Sequence, residues 1–145
     1  AQDLEDVRTL IQPQILKKSQ RLAWQVELTE GVKLPANAVR QVLINLLLNA
    51  VQATAEQGRI GLTVAPARGG LALTVRNEAD PIPSDRLKHL FEPFVSGREG
   101  GHGLGLWVTY QIVQQLKGSI TAGTDSGITH FLVLLPLTEQ KDGNV

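Results

Sequence analysis

Residues Val42 to Val51 read VLINLLLNAV, and eight of these ten are apolar. A helix made of such a run is apolar round most of its circumference, so most of it must be buried. The two exceptions, Asn45 and Asn49, are four residues apart and share one face. Gln41 and Gln52 extend that face into a polar stripe. A stripe of amides on an otherwise buried helix is either a narrow solvent edge or a surface turned toward a ligand. In the second case amide oxygens are suitable hard ligands for Mg²⁺, which takes few protein groups and keeps several waters.

Around this helix the pattern alternates between two periods. Asp3 to Lys18 has apolar residues at helical spacing, with Pro13 expected to kink or split the run. Leu22 to Leu28 alternates as a half-buried strand that includes Trp24. Glu30 to Pro35 reads as a loop, and Asn37 as the N-cap of the long helix, which runs to about Thr54. Ile60, Leu62 and Val64, then Leu71, Leu73 and Val75, form a hairpin about Arg68-Gly69-Gly70. Asn77 to Pro83 reads as loop, and Ser84 as the cap of a short helix through Leu90. A helix to about Leu116 ends at Gly118, and two closing strands, near Ser119–Ala122 and Phe131–Leu135, flank Asp125-Ser126-Gly127. Helices and strands mix without regular alternation, which predicts an α+β sandwich in a single domain, 1–145, rather than a doubly wound sheet.

Before the last helix stands FEPFVSGREGGHGLGL, Phe91 to Leu106, with glycine at 100, 101, 103 and 105. Glycines ahead of a helix let backbone N–H groups approach a ligand, and the helix N-terminus favours an anion, phosphate most often. Aromatic anchor, polar loop with Arg98, glycine hinge and helix make the layout of a lid over a nucleotide. The segment Val95 to Gly101 is accordingly expected to be mobile without ligand and ordered by it.

FEPF, a short variable loop and G-x-G-L-G-L together resemble the catalytic ATP-binding domain of sensor histidine kinases. That domain belongs to the superfamily of DNA gyrase, heat-shock chaperone and mismatch-repair ATPases. Asn45-Leu46-Leu47-Leu48-Asn49-Ala50 matches the family's asparagine box, N-L-x-x-N-A. The resemblance covers roughly Leu4 to Leu137. It implies a Bergerat-type two-layer α/β sandwich, with helices on one face of a mixed sheet of about five strands. It implies ATP and Mg²⁺ as cofactors, with Asn49 as the metal-binding asparagine. It places ATP among Asn45, Asn49, Gln52, Asn77, Ile82, Phe94, Arg98, Gly101, His102, Gly103, Leu104, Gly105, Leu106 and Thr129. Asn45 stands where ATP-hydrolysing cousins carry a glutamate that activates water. An amide cannot accept that proton, so phosphoryl transfer is favoured over hydrolysis, with Asn45 and Asn49 as the catalytic pair.

The match departs from the family at one box. The usual D-x-G-x-G-I is here Asn77-Glu78-Ala79-Asp80-Pro81-Ile82, so Asn77 stands for the adenine-gripping aspartate and both glycines are lost. Without charge, Asn77 is expected to weaken ATP binding by ~1–2 kcal/mol and, because an amide can turn its NH₂ outward, to relax discrimination against GTP. Near the end the family's G-T-x-F survives as Ile128-Thr129-His130-Phe131, without the glycine.

The implied function is delivery of the γ-phosphate to a histidine on a dimerisation domain of the same parent, with a response-regulator receiver domain downstream. The parent would be a homodimer and this part of it cytoplasmic. The alternative is a degenerate fold serving as a protein-interaction module; an anti-sigma-factor type serine kinase is less favoured by FEPF with GLGL. With 14 basic against 14 acidic residues there is no electrostatic case for nucleic acid, and no run is long enough to cross a membrane as a helix. Absence of a first methionine fits a piece of a longer protein. There is no cysteine. His89 and His130 read as surface residues, Trp107 and Tyr110 as packing, and Lys17, Lys18 and Arg21 as a solvated basic face.

Overall fold

A computed structural model describes residues 4–27, 36–67, 69–80, 82–87, 89–92 and 105–136. The elements in chain order are α1 (Glu5–Lys17), β1 (Arg21–Val26), α2 (Ala36–Ala53), β2 (Arg59–Ala67), β3 (Gly70–Glu78), α3 (Ser84–Leu87), α4 (Gly105–Gln115), β4 (Ser119–Asp125) and β5 (Ile128–Pro136). The five strands make one mixed sheet in the order β1-β2-β3-β5-β4. β1 and β2 are parallel, joined by a crossover that contains α2; the other three pairs are antiparallel.

Burial alternates along the central strands. Leu62, Val64, Leu73, Val75, Phe131 and Val133 are buried, while Thr63, Ala65, Ala72, Thr74, Leu132 and Leu134 between them are not. One face of the sheet thus carries the helices, giving the α+β two-layer sandwich. α2 lies centrally, touching α1, α4 and β3, and Val39, Val42, Leu43, Leu46 and Leu47 are all fully buried. This is what eight apolar positions in ten required. α1 closes one flank through Val7, Ile11 and Ile15 at i, i+4, i+8.

Several local expectations are corrected. Pro13 does not split α1, which runs unbroken from Glu5 to Lys17. Pro13 and Thr9, whose carbonyl loses its partner at i+4, are both on the exposed side, where water can take over that hydrogen bond. α2 begins at Ala36, so Asn37 lies in its first turn, with Oδ1 accepting from Arg40 Nη1 at 3.2 Å. β3 continues through Asn77 and Glu78, where the sequence predicts a loop, and the two pair with Thr129 and Ile128 of β5. β5 itself starts early because the β4–β5 connection is only Ser126-Gly127, both at positive φ (54° and 81°), as a tight primed turn requires. The same turn reaches back to the end of β3, since Gly127 O accepts from Ala79 N at 3.0 Å.

Candidate functional site

Within the polar stripe of α2, Asn45 meets α4. Gln41 Nε2 donates to Asn45 Oδ1 at 3.1 Å, and Asn45 Nδ2 donates to Thr109 Oγ1 at 3.1 Å. Thr109 is completely buried. Asn45 is therefore engaged at both ends of its amide, and its orientation is fixed by one residue from its own helix and one from α4. Asn49, one turn on, is half-buried, while Gln52 is exposed. Asn49 Oδ1 is of the right chemistry for Mg²⁺. Among the described residues no group of three or more His, Cys, Asp or Glu could hold a metal ion. Were magnesium to bind here, the amide oxygen would be one ligand and phosphate and water would complete its shell, which is how the ion commonly accompanies nucleotides.

Where α2 ends, a second polar group is buried against the sheet. Asn77 is 2% exposed and Thr129 3%, at directly opposed register positions on β3 and β5. Asn77 Nδ2 donates to Thr54 Oγ1 at 3.0 Å and, at a long 3.5 Å, to Glu78 O. Asn77 Oδ1 and Thr129 Oγ1 have no hydrogen-bond partner. Buried polar atoms are nearly always paired, and leaving one unpaired costs on the order of 1–3 kcal/mol. Two such atoms, at paired positions on neighbouring strands, offer one acceptor and one hydroxyl that can donate or accept.

Of the remaining expected site residues, Ile82 is half-buried between β3 and α3, Gly105 begins α4, and Leu106 packs on the core. Phe94, Arg98, Gly101, His102, Gly103 and Leu104, with the whole expected lid, lie outside the described residues. The first aromatic of FEPF is described. Phe91 stacks on Tyr110 of α4 (centroids 5.9 Å, 21°) and meets Phe131 of β5 edge-on at 6.2 Å. It joins the start of the lid segment to both layers of the fold, and the reading of Tyr110 as a packing residue holds.

The family described as histidine kinase-, DNA gyrase B-, and HSP90-like ATPase matches residues 35–139. This chain belongs to that family. Within it, the likeness is to sensor histidine kinase catalytic domains. The domain is 39% identical over 110 residues to the C4-dicarboxylate transport sensor protein DctB of Rhizobium meliloti, covering 73% of this chain and 18% of that protein. It is 36% identical over 119 residues to the sensory histidine kinase/phosphatase NtrB of Rhodobacter capsulatus, covering 73% of this chain and 34% of that one. The chain thus spans about a third or less of the length of these relatives. Its fold superposes on the catalytic domain of the histidine kinase ThkA with a TM-score of 0.85 at 27% identity, over 97% of this chain and 93% of that one. ThkA in complex with the response regulator protein TrrA matches at 0.79 and 26% identity, over 97% of this chain and 41% of that one.

Three residues of this histidine kinase-like domain escaped the sequence reading. Thr54, just past the end of α2, and Thr109, on α4, are uncharged and carry no motif, and their partners lie 23 and 64 residues away. The sequence places Lys18 on a solvated basic face. Its Nζ instead donates to Val51 O at 2.8 Å and Thr54 O at 2.9 Å, at the C-terminus of α2. A cation there completes orphan carbonyls and meets the negative end of the helix dipole.

Proposed function

We propose that this domain binds Mg·ATP and donates its γ-phosphoryl group to a histidine on a dimerisation domain of its parent, with a response-regulator receiver domain as later acceptor. The observation that carries the nucleotide reading is the unpaired Asn77 Oδ1 beside the unpaired Thr129 Oγ1. Adenine presents an exocyclic amino donor next to a ring-nitrogen acceptor. Asn77 Oδ1 accepts from the amino group, and the Thr129 hydroxyl can donate to the ring nitrogen, which satisfies both atoms at once. Membership of an ATPase family supports the same ligand, and the relatives' names support the acceptor class.

The chemistry assigned to the domain is positioning. Asn77 and Thr129 hold the base, which directs the phosphates along α2 toward Asn49 and the α4 N-terminus. Magnesium, when bound, neutralises phosphate charge. Asn45 orients by hydrogen bonding and takes no proton, since an amide is no base; this favours transfer to an external acceptor over hydrolysis. The domain location we propose is cytoplasmic.

Calorimetric titration with Mg·ATP tests the reading. Binding in the micromolar to low-millimolar range is expected, followed by transfer of labelled γ-phosphate to the parent's dimerisation domain. An absence of heat at millimolar ATP would leave the fold as a protein-interaction module.

A further inference from the structure

Building on the ATP reading above, we infer that the base site accepts 6-oxopurine nucleotides as well as ATP, because each of its polar groups can exchange donor for acceptor. The two kinds of purine present opposite edges at the same two positions. Adenine has an amino donor at C6 and an acceptor at N1. Guanine and hypoxanthine have a carbonyl acceptor at C6 and an N1–H donor. An ionised carboxylate only accepts, so it takes the first edge and repels the carbonyl of the second. The Asn77 amide has one accepting end and one donating end. Which end faces the base depends on what the inner end can pair with.

The inner partner is a hydroxyl. Asn77 Nδ2 lies 3.0 Å from Thr54 Oγ1, and among the described residues that hydroxyl has no other hydrogen-bond partner. Its proton is therefore free to donate. With Nδ2 inward, Thr54 Oγ1 accepts and Asn77 Oδ1 faces the base. With the amide turned, the Thr54 proton donates to Oδ1 and Nδ2 faces the base. Thr129 supplies the second exchange. Its Oγ1 is unpaired and opposite Asn77 in the β3–β5 register. It can donate to adenine N1 or accept from the N1–H of a 6-oxopurine. Thr54, Asn77 and Thr129 are all buried, so protein and ligand groups rather than water must satisfy them. One fixed group opposes the turn. Glu78 O, which only accepts, lies 3.5 Å from Nδ2. So long a contact is at the limit of a hydrogen bond, and it tilts the site toward adenine without excluding the other edge. The relaxed discrimination that Asn77 predicts from the sequence thus acquires partners for both edges. Thr54 is a positioning residue that lets the amide turn.

The test is a paired titration of Mg·ATP and Mg·ITP against the unsubstituted domain, Thr54→Val, Thr54→Ser and Asn77→Asp, each checked for folding by urea unfolding. ITP carries the carbonyl and N1–H of guanine without its 2-amino group, so the ratio of the two affinities reads the edge alone. The unsubstituted domain should bind ITP within about tenfold of ATP, the scale of one hydrogen bond. Asn77→Asp should move the ratio toward ATP by about tenfold or more, because a carboxylate has no donor to turn outward. Thr54→Val should move it the same way. It leaves Glu78 O as the remaining partner of the inner end, and an oxygen turned inward would find no donor there. Thr54→Ser keeps the hydroxyl and should keep the ratio. If Thr54→Val does not fold, Thr54→Ala removes the same hydroxyl. An unsubstituted domain that binds ATP and rejects ITP by far more than about tenfold overturns the inference and leaves the ATP reading in place. A ratio unmoved by loss of the Thr54 hydroxyl, or unmoved in Asn77→Asp, overturns it as well. A domain that binds neither nucleotide overturns the ATP reading itself, and the exchange of edges with it.

Discussion

Asn45 on α2 and Thr109 on α4 are joined by a 3.1 Å hydrogen bond between elements 64 residues apart in sequence. Thr109 is fully buried, so its hydroxyl has no water to fall back on. The bond fixes the angular setting of the polar stripe relative to α4, the helix that the glycine segment leads into. Thr109→Val preserves shape and leaves the Asn45 amide short of an acceptor. Urea unfolding should show a loss of about 1 kcal/mol, the usual net value of such a bond. Thr109→Ser should restore most of it. A midpoint equal to the parent's in Thr109→Val would show that the bond contributes nothing to the packing of the two helices.

Asn49→Ala should remove most of the Mg²⁺-dependent part of nucleotide affinity and leave the fold intact. Asn49 is half-buried on α2, and alanine is the better helix former. Titrations with Mg²⁺ and with EDTA should converge in the variant. Were the gain from Mg²⁺ as large in the variant as in the parent, the ion would have to be held elsewhere.

Phe91→Ala should destabilise the domain by roughly 2 kcal/mol, below the cost of truncating a core aromatic because the ring is only half-buried. The loss comes from the contacts with Tyr110 and Phe131, which tie the FEPF segment to α4 and β5. Phe91→Leu should recover part of it. Equal stability of the parent and Phe91→Ala in urea would mean that the aromatic anchor is dispensable to the fold.

Lys18→Met should cost about 1 kcal/mol, by stripping a charged donor from two carbonyls at the end of α2 while keeping the aliphatic stem. Chemical denaturation measures this directly. A variant as stable as its parent would show that Gln20, which also donates to Val51 O and Thr54 O, suffices for those carbonyls.

The parts of this molecule legible in its sequence are those set by periodicity and by local turn chemistry. VLINLLLNAV announced a helix buried nearly all round, and α2 has that surrounding. The hairpin of β2 and β3 and the stop at Gly118 followed from alternation and glycine. Strands run longer than alternation predicts, because ladder bonds extend past the apolar core: Asn77 and Glu78 are held in β3 by pairing with β5, and their side chains bond Thr54 Oγ1 and Arg59 N, partners that only the folded chain brings alongside. The asparagine box was legible as a stripe on one face. Thr54, Thr109 and Lys18 were not, since a hydroxyl or ammonium says nothing of a partner brought alongside only by the sheet and helix packing.

Asn77 and Thr129 come from different hairpins. β2–β3 and β4–β5 are each closed by a short turn and can form on their own, whereas β3 and β5 meet only when the two hairpins dock edge to edge. Such non-local pairings are the slow, entropically expensive part of folding. A slip of one residue in that docking would send one of the pair to the opposite face of the sheet. A nucleotide held by both atoms, as proposed above, would bind only the correctly registered sheet, and by mass action it would draw the population toward that register. Ligand added during refolding should then raise the yield of native domain without speeding either hairpin, and the proposed base site would act as a gauge of strand alignment.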